Sequence, residues 1–160
     1  MTPPGEKTKN PVLPEWSIPV AFHFSVTIDK KTVSFSDVKG IDFSMDVEPL
    51  TSGGDSFTCY YLPKSKKYSD LVLSRGILKK NDDFFKWCFD ALVGPAKKDC
   101  IKLKNVLVSL LDENNKPLKT WIFKHAYPIK WSLGEFNAMK SDVVVETVSI
   151  KYNSVSVKVG

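Results

Sequence analysis

The sequence predicts a mainly β domain of antiparallel strands with a single helix, on three observations. Apolar and polar residues alternate through Phe22 to Ile28 and again from Ile41 to Glu48, the period-two pattern of a half-buried strand. Turn-forming clusters such as "DKKT", "PLTSGGDSF" and "DENNKP" punctuate these runs, as they do in hairpin-rich chains. Only Asp82 to Val93 carries helix start and stop signals. At 160 residues the chain is one domain's worth, long enough to bury a core without staples.

In order along the chain, residues 1–19 hold Pro3, Pro4, Pro11, Pro14 and Pro19 among polar residues, too rigid and polar to join a core. An N-terminal extension ending at Pro19 and a single domain over 20–160 are expected. Phe22 to Ile28 and a strand starting at Val33 flank the turn Asp29-Lys30-Lys31-Thr32, which reads as a hairpin. In the third strand Ile41, Phe43, Met45 and Val47 face one way and Asp42, Ser44, Asp46 and Glu48 the other. The Gly53-Gly54 pair that follows could serve a phosphate cradle, a mobile lid or an arm reaching outside its own domain. Strand character resumes over Phe57–Leu62, "PKSKKYSD" breaks it, and Asp70–Leu78 forms the next strand.

Asp82 and Asp83 supply an N-cap and first-turn acid, and Gly94-Pro95 a stop, so a helix spans 82–93. On its wheel Asp82, Asp83, Lys86 and Asp90 share a stripe of roughly 100°, with apolar residues elsewhere. Such a helix is either nearly engulfed by its own sheets or packed in part on a neighbouring subunit. Three β regions follow: Ile101–Leu111, Leu118–Trp131, and two strands within Val143–Val159. Trp121, Phe123, His125, Tyr127, Ile129 and Trp131 fall on one bulky face, yet Pro128 removes a ladder donor. That strand should run along an edge or carry a bulge near Pro128.

Enzymatic chemistry finds little support. No GxSxG elbow is present, and "SGGDS" lacks the Lys-Ser/Thr ending and the strand-to-helix setting of a phosphate loop. His23 and His125 sit on strands without a carboxylate at ligand spacing, and Cys59, Cys88 and Cys100 have no CxxC spacing. The glycines of "KGI" and "RGI" read as isolated. No catalytic, metal or cofactor site is expected. The net charge of +5 is carried by scattered lysine pairs, which suit solvated surface better than a nucleic-acid stripe. No membrane-length apolar run or signal sequence is seen, so residence in the cytoplasm is expected, with no membrane partner in the resting state. What remains is a set of strands with small polar faces: Ser25, Thr27, Ser34, Ser36, Ser44 and Asp46. They form either a solvated sheet face or the wet, non-sticky wall of a conduit.

"FHFSVTI", "VKGIDFSMDVEPL", "LPKSKKYSDLVLSRGI", "VSLLDENNKPLKTWIFKHAYPIKW" and "FNAMKSDVVVETVSIKY" resemble, in order and spacing, the tail tube family of contractile phages and phage-tail-like injection systems. The resemblance implies a non-enzymatic inner-tube subunit of two packed antiparallel sheets and one helix. Six copies would form a ring with a continuous inner β-barrel, and rings would stack inside a contractile sheath. Its partners would be copies of itself, sheath protein, baseplate and tube-initiator proteins, a tube cap or terminator, and cargo, effector protein or DNA, in the lumen. Assembly in the cytoplasm, into a phage tail or a released or membrane-anchored particle, is implied.

Carried onto this chain, the lumen is expected at Ser25, Thr27, Ser34, Ser36, Ser44 and Asp46. Ring stacking falls to the segment 48–65, at Thr51, Ser52, Gly53, Gly54, Asp55, Tyr60 and Tyr61. Lateral contacts fall to the C-terminal strands and to Tyr127, Pro128, Ile129 and Trp131. Two features depart from the family pattern: Pro63-Lys64 stands where members often have Pro-Gly, and the proline-rich extension precedes the first strand. A tube-initiator or baseplate-hub paralogue is the alternative within the fold. A β-sandwich carbohydrate-binding module using exposed tryptophans is the alternative outside it.

Overall fold

The structure is a computed structural model describing residues 23–51, 53–54, 58–77, 82–95, 101–140 and 142–160; the expected extension over 1–19 and Cys100 lie outside them. Strands β1 (His23–Ile28) and β2 (Lys31–Val33) pair as a hairpin. Its two-residue loop, Asp29 and Lys30, has φ of 49° and 68°, the left-handed pair that matches the twist of tight hairpins. β1 pairs with β7 (Lys104–Leu111), and β7 with the first half of β8 (Pro117–Leu133), whose other side carries β10 (Ser154–Val159). The second half of β8 pairs with β9 (Val145–Lys151), which pairs with β6 (Leu71–Gly76), and that with β3 (Asp37–Lys39).

Strand β8 is therefore shared between two sheets, and it changes sheet through irregular backbone. His125 has φ 53°, and the pairing with β9 shifts between Pro128 and Lys130. Both expected features near Pro128 occur: a bulge, and, beyond it, pairing on one side among the described strands. The single bulky face does not. Phe123 is buried but His125 and Ile129 are exposed, while Ala126 and Pro128 point inward, because each extra residue in a bulge flips the side-chain alternation.

The two sheets enclose Val26, Ile28, Val106, Val108 and Phe123 from one side and Leu71, Leu73, Val148 and Ile150 from the other. Helix α1 (Asp83–Leu92) closes the core with Phe84, Trp87 and Cys88. Its ends fall where expected, with Asp82 as N-cap accepting from the Phe85 amide at 2.9 Å and Val93 as C-cap. It is not engulfed, however: Phe89, Leu92 and Val93 are exposed, because β8 covers one flank and no other described element covers the C-terminal half.

The largest departure from expectation lies between β3 and β6. β4 (Phe43–Thr51) runs three residues past Glu48, and β5 (Cys59–Tyr68) continues straight through "PKSKKY". The lysines do not break the strand because they pair across it: Lys67 with Asp46 at 2.8 Å and Lys64 with Glu48 at 2.9 Å. Pro63 is tolerated beside a register shift on a strand with a free edge. Moving from the pair Lys39–Val72 to the pair Phe43–Tyr68 takes four steps on each strand, so β4–β5 prolongs the β3–β6 ladder in unchanged register. Where the hairpin leaves the body, Gly40 adopts φ 82° and a Cβ there would overlap the Asp70 carbonyl oxygen. The glycine of "KGI" is thus required, not incidental.

Gly40→Ala should lower stability by about 1–3 kcal/mol, seen as a fall of roughly 2–12 °C in the circular-dichroism melting midpoint; an unchanged midpoint would refute the steric requirement.

Candidate assembly surfaces

Nine residues of β4 at roughly 3.4 Å each make the hairpin about 30 Å long, about the diameter of a domain this size. Cross-strand partners share a face. One face carries Phe43 with Tyr68, Met45 with Lys66, Val47 with Pro63, Pro49 with Tyr61 and Thr51 with Cys59; the other carries Ser44 with Lys67, Glu48 with Leu62, and Leu50 with Tyr60. At the base Phe43 packs edge-on against Tyr68, centroids 5.9 Å apart; Tyr68 stacks on Tyr152 at 5.8 Å and Tyr152 meets Phe123 at 4.7 Å. The apolar face therefore turns toward the core: the alternation resets between β3–β6 and β4–β5, since four regular steps from the outward Val72 would carry Tyr68 to the outer face. Phe43, Met45 and Val47 are 42%, 46% and 55% exposed, so among the described residues nothing fully covers the half-buried strand expected over Ile41–Glu48.

The six expected lumen residues do not share one wall. Ser25 and Thr27 lie on the outer face of the first sheet, where Ser109 stands opposite Ser25 and bonds the Thr120 hydroxyl at 2.9 Å. Ser44 and Asp46 lie on the charged face of the hairpin, away from the Tyr68–Tyr152 stack. Ser36 donates to the Ser74 carbonyl at 3.0 Å, at the edge of the second sheet. Ser34 is exposed beside a charged cleft under α1. The outer faces of two packed sheets point in opposite directions, so these positions divide into two groups. The outer face of the second sheet also carries Ser74, hydrogen-bonded to Thr147 at 3.1 Å, with Ser132 and Ser149. Their alternation is legible in "LVLSRG" and "VETVSIK", but that they share one wall follows only from the pairing of β6, β8 and β9.

Of the expected stacking residues, Thr51, Gly53 and Gly54 are exposed at the hairpin tip, and Tyr60 and Tyr61 are exposed on its opposite faces; Ser52 and Asp55 lie outside the described residues. A Cβ at Gly53 or Gly54 would meet no atom within 4 Å. Of the expected lateral residues, Pro128 is turned into the body and Tyr127 is half-buried. Ile129 and Trp131 join Phe85, Cys88, Phe89, Leu92 and Val93 of α1 in a groove of about 250 Å³, with Lys130 at its rim.

Both walls of that groove are fixed by a charge network absent from the sequence reading. Arg75 and Glu146 are each only 4% exposed. The Arg75 Nε donates to Glu146, and its two terminal nitrogens fork onto Asp82 at 2.6 and 3.0 Å. Asp82 in turn caps α1, and Trp131 Nε1 donates to the second Glu146 oxygen at 3.2 Å. The guanidinium also lies 4.9 Å from the Phe84 ring centroid. Burial opposes the charge on Arg75, but its bonds to Asp82 and Glu146 outweigh it and raise the pKa. The same Arg75 bond holds the Asp82 carboxyl below its ordinary 3.8, with the Phe85 amide assisting. Burial pushes the Cys88 thiol up to about 12, the opposite of an activated nucleophile. Among the described residues no group of three or more His, Cys, Asp or Glu is placed to hold a metal, and no helix is long and apolar enough to cross a membrane.

A protein whose distinctive surfaces are a 30 Å hairpin with a bare core face, free sheet edges and a shallow apolar groove belongs to the class of assembly subunits. Residues 20–156 match the family profile of the T4-like virus tail tube protein gp19, and the chain belongs to that family: it is a structural tube subunit. Solved structures agree in fold. A chain of the PVC extracellular contractile injection system sheath–tube complex in the extended state is similar with TM-score 0.76 and 21% identity, covering 91% of this chain and 94% of that one. A chain of the anti-feeding prophage tube-terminating cap gives TM-score 0.79 and 19% identity over 96% and 99%. Hcp1 from Flavobacterium johnsoniae gives 0.53 and 18% over 86% and 95%. A search of curated proteins finds no match.

Arg75→Met should cost about 3–5 kcal/mol in urea unfolding, because it strands the buried Glu146 charge; a cost below about 1 kcal/mol would mean Glu146 finds other partners. The Asp82 contribution has a lowered folded-state pKa, so it is fully present above the unfolded value of 3.8 and lost as pH falls further. Unfolding midpoints should therefore drop between pH 5 and 2, to an extent that Asp82→Asn reduces. In a Cys100→Ser background a thiol reagent should titrate exposed Cys59 at once and buried Cys88 only after unfolding; prompt reaction of both would contradict the packing of α1.

Proposed function

We propose that this subunit closes hexameric rings that stack into a hollow tube, that it is non-enzymatic, and that residues 1–19 form an extension outside the tube domain. The observation that carries the reading is the hairpin, which follows the second sheet with equal spacing on both strands and whose core-ward face is left half-exposed by the described residues. Such a face is satisfied by neighbours, and a ring of identical neighbours satisfies every copy equally. Of the two polar walls, the outer face of the second sheet with the charged face of the hairpin is assigned to the lumen, since the long ladder belongs to that sheet. Ser44 and Asp46 then line the channel together with Ser74, Thr147 and Ser149, while Ser25 and Thr27 face outward. The acids of the hairpin face, Asp46 and Glu48, are each paired with a lysine, so its base is hydrated with little net charge, while Leu50, Tyr60 and Leu62 make its distal half apolar.

Sheath protein, baseplate, tube initiator and a cap or terminator are the further partners, and assembly is cytoplasmic. The PVC sheath–tube complex and the anti-feeding prophage baseplate and cap, each containing a chain of this fold, support that set.

Negative-stain microscopy of concentrated protein should show hexameric rings or tubes, and deleting residues 51–55 should abolish stacking while circular dichroism stays unchanged. Normal tubes from the deletion would remove the stacking role from the hairpin tip; discrete monomers throughout, with ligand-quenched tryptophan fluorescence, would favour a carbohydrate-binding module.

A further inference from the structure

The tube reading leaves open where the hairpin lands on its neighbour. Two exposed apolar surfaces, a ridge and a groove, occur among the described residues. The ridge is the hairpin face of Met45, Val47, Pro49 and Tyr61, with Lys66 opposite Met45. The groove lies between α1 and the second half of β8, walled by Phe89, Leu92, Ile129 and Trp131. At about 250 Å³ the groove is smaller than the usual small-molecule site, and its sole charged lining residue is Lys130, at the rim; it suits one or two large side chains rather than a cofactor. Its walls are pre-set by the Arg75–Glu146–Asp82–Trp131 network, so it need not form on contact. The hairpin, at roughly 30 Å, spans about one subunit diameter, so its distal half falls on the body of an adjacent copy rather than on its own.

Building on the tube reading, we propose that the apolar face of the β4–β5 hairpin of one copy seats in the α1–β8 groove of a second copy. Ridge and groove are different patches of one chain, so the contact is head-to-tail and can propagate from copy to copy. Tyr61 is the side chain best suited to fill the groove, being aromatic, exposed and on the apolar face.

Native Cys59 lies on that same face, opposite Thr51, and is exposed, which supplies a probe. In the full-length Cys100→Ser protein, Leu92→Cys or Ile129→Cys should form an intermolecular disulfide with Cys59 on mild oxidation of assembled material. The product is a reducible dimer or ladder on denaturing gels. Asp90→Cys, on the charged side of α1, should form at least tenfold less. Rings or tubes that assemble normally but cross-link at Asp90→Cys as readily as at Leu92→Cys, or at none of these positions, would overturn the docking while leaving the tube reading intact. A Cys100→Ser parent that stays monomeric under all conditions would overturn the tube reading and the docking with it. Tyr61→Ser, with an unchanged circular-dichroism spectrum, should weaken assembly at least tenfold in concentration; assembly at the parental concentration would also count against the docking.

Discussion

The structure depends on two ladders laid end to end. β3 pairs with β6 over Asp37–Lys39 and Val72–Ser74; across residues 40–42 and 69–70, where the Ser69 amide donates to the Asp42 carbonyl, β4–β5 resumes at Phe43 and Tyr68 with equal spacing on both strands and a single register shift farther out. Inside the body the first ladder supplies Leu71 and Leu73 to the core. Beyond the break at Gly40 the alternation resets, and the core-ward face is that of Phe43, Met45 and Val47, about half exposed among the described residues. The period-two pattern that builds these strands therefore also leaves an apolar face half-exposed among the described residues.

What allows this to coexist with a well-defined body is the buried charge network. Arg75 sits on β6, Glu146 on β9, Asp82 at the start of α1 and Trp131 on β8. β6, β9 and the start of α1 meet at one guanidinium, whose fork geometry a lysine cannot reproduce, and β8 joins through the Trp131 bond to Glu146. Buried ion pairs of this kind add less to stability than to geometry. Here the geometry they fix is the angle between α1 and the second half of β8, and with it the groove between them.

The legibility of the chain follows from which forces act locally. Period-two alternation and capping residues are local, and they place β1, α1, β7, β9 and β10 close to where they lie. The break expected at "PKSKKYSD" fails because cross-strand pairs, Lys67 to Asp46 and Lys64 to Glu48, decide the conformation there, and such partners cannot be known before the register. "KGI" fails for the same reason: Gly40 is required by the Asp70 carbonyl, thirty residues away in sequence. The bulky face over Trp121–Trp131 fails because two irregularities in β8 each reset the alternation. Individual polar positions on the strands were legible, but their grouping into two opposed walls depends on strand order, which alternation does not encode.

An apolar hairpin whose outer edges pair with no other described strand should be an aggregation hazard, and the placement of charge answers it. Lys64, Lys66 and Lys67 are spread along β5, and a like-charged lysine-bearing edge approaching another is repelled. The net charge of +5 adds a weaker, longer-range repulsion between free subunits. Two of these lysines are already held by Asp46 and Glu48, so one subunit presents mixed charge on one hairpin face and a single cation, Lys66, on the other. A random encounter between two hairpins brings Lys66 against Lys66, which disfavours hairpin-on-hairpin pairing. Lys130 in the α1–β8 groove is likewise a cation, so in the proposed docking the burial of Met45, Val47 and Tyr61, not charge, supplies the attraction.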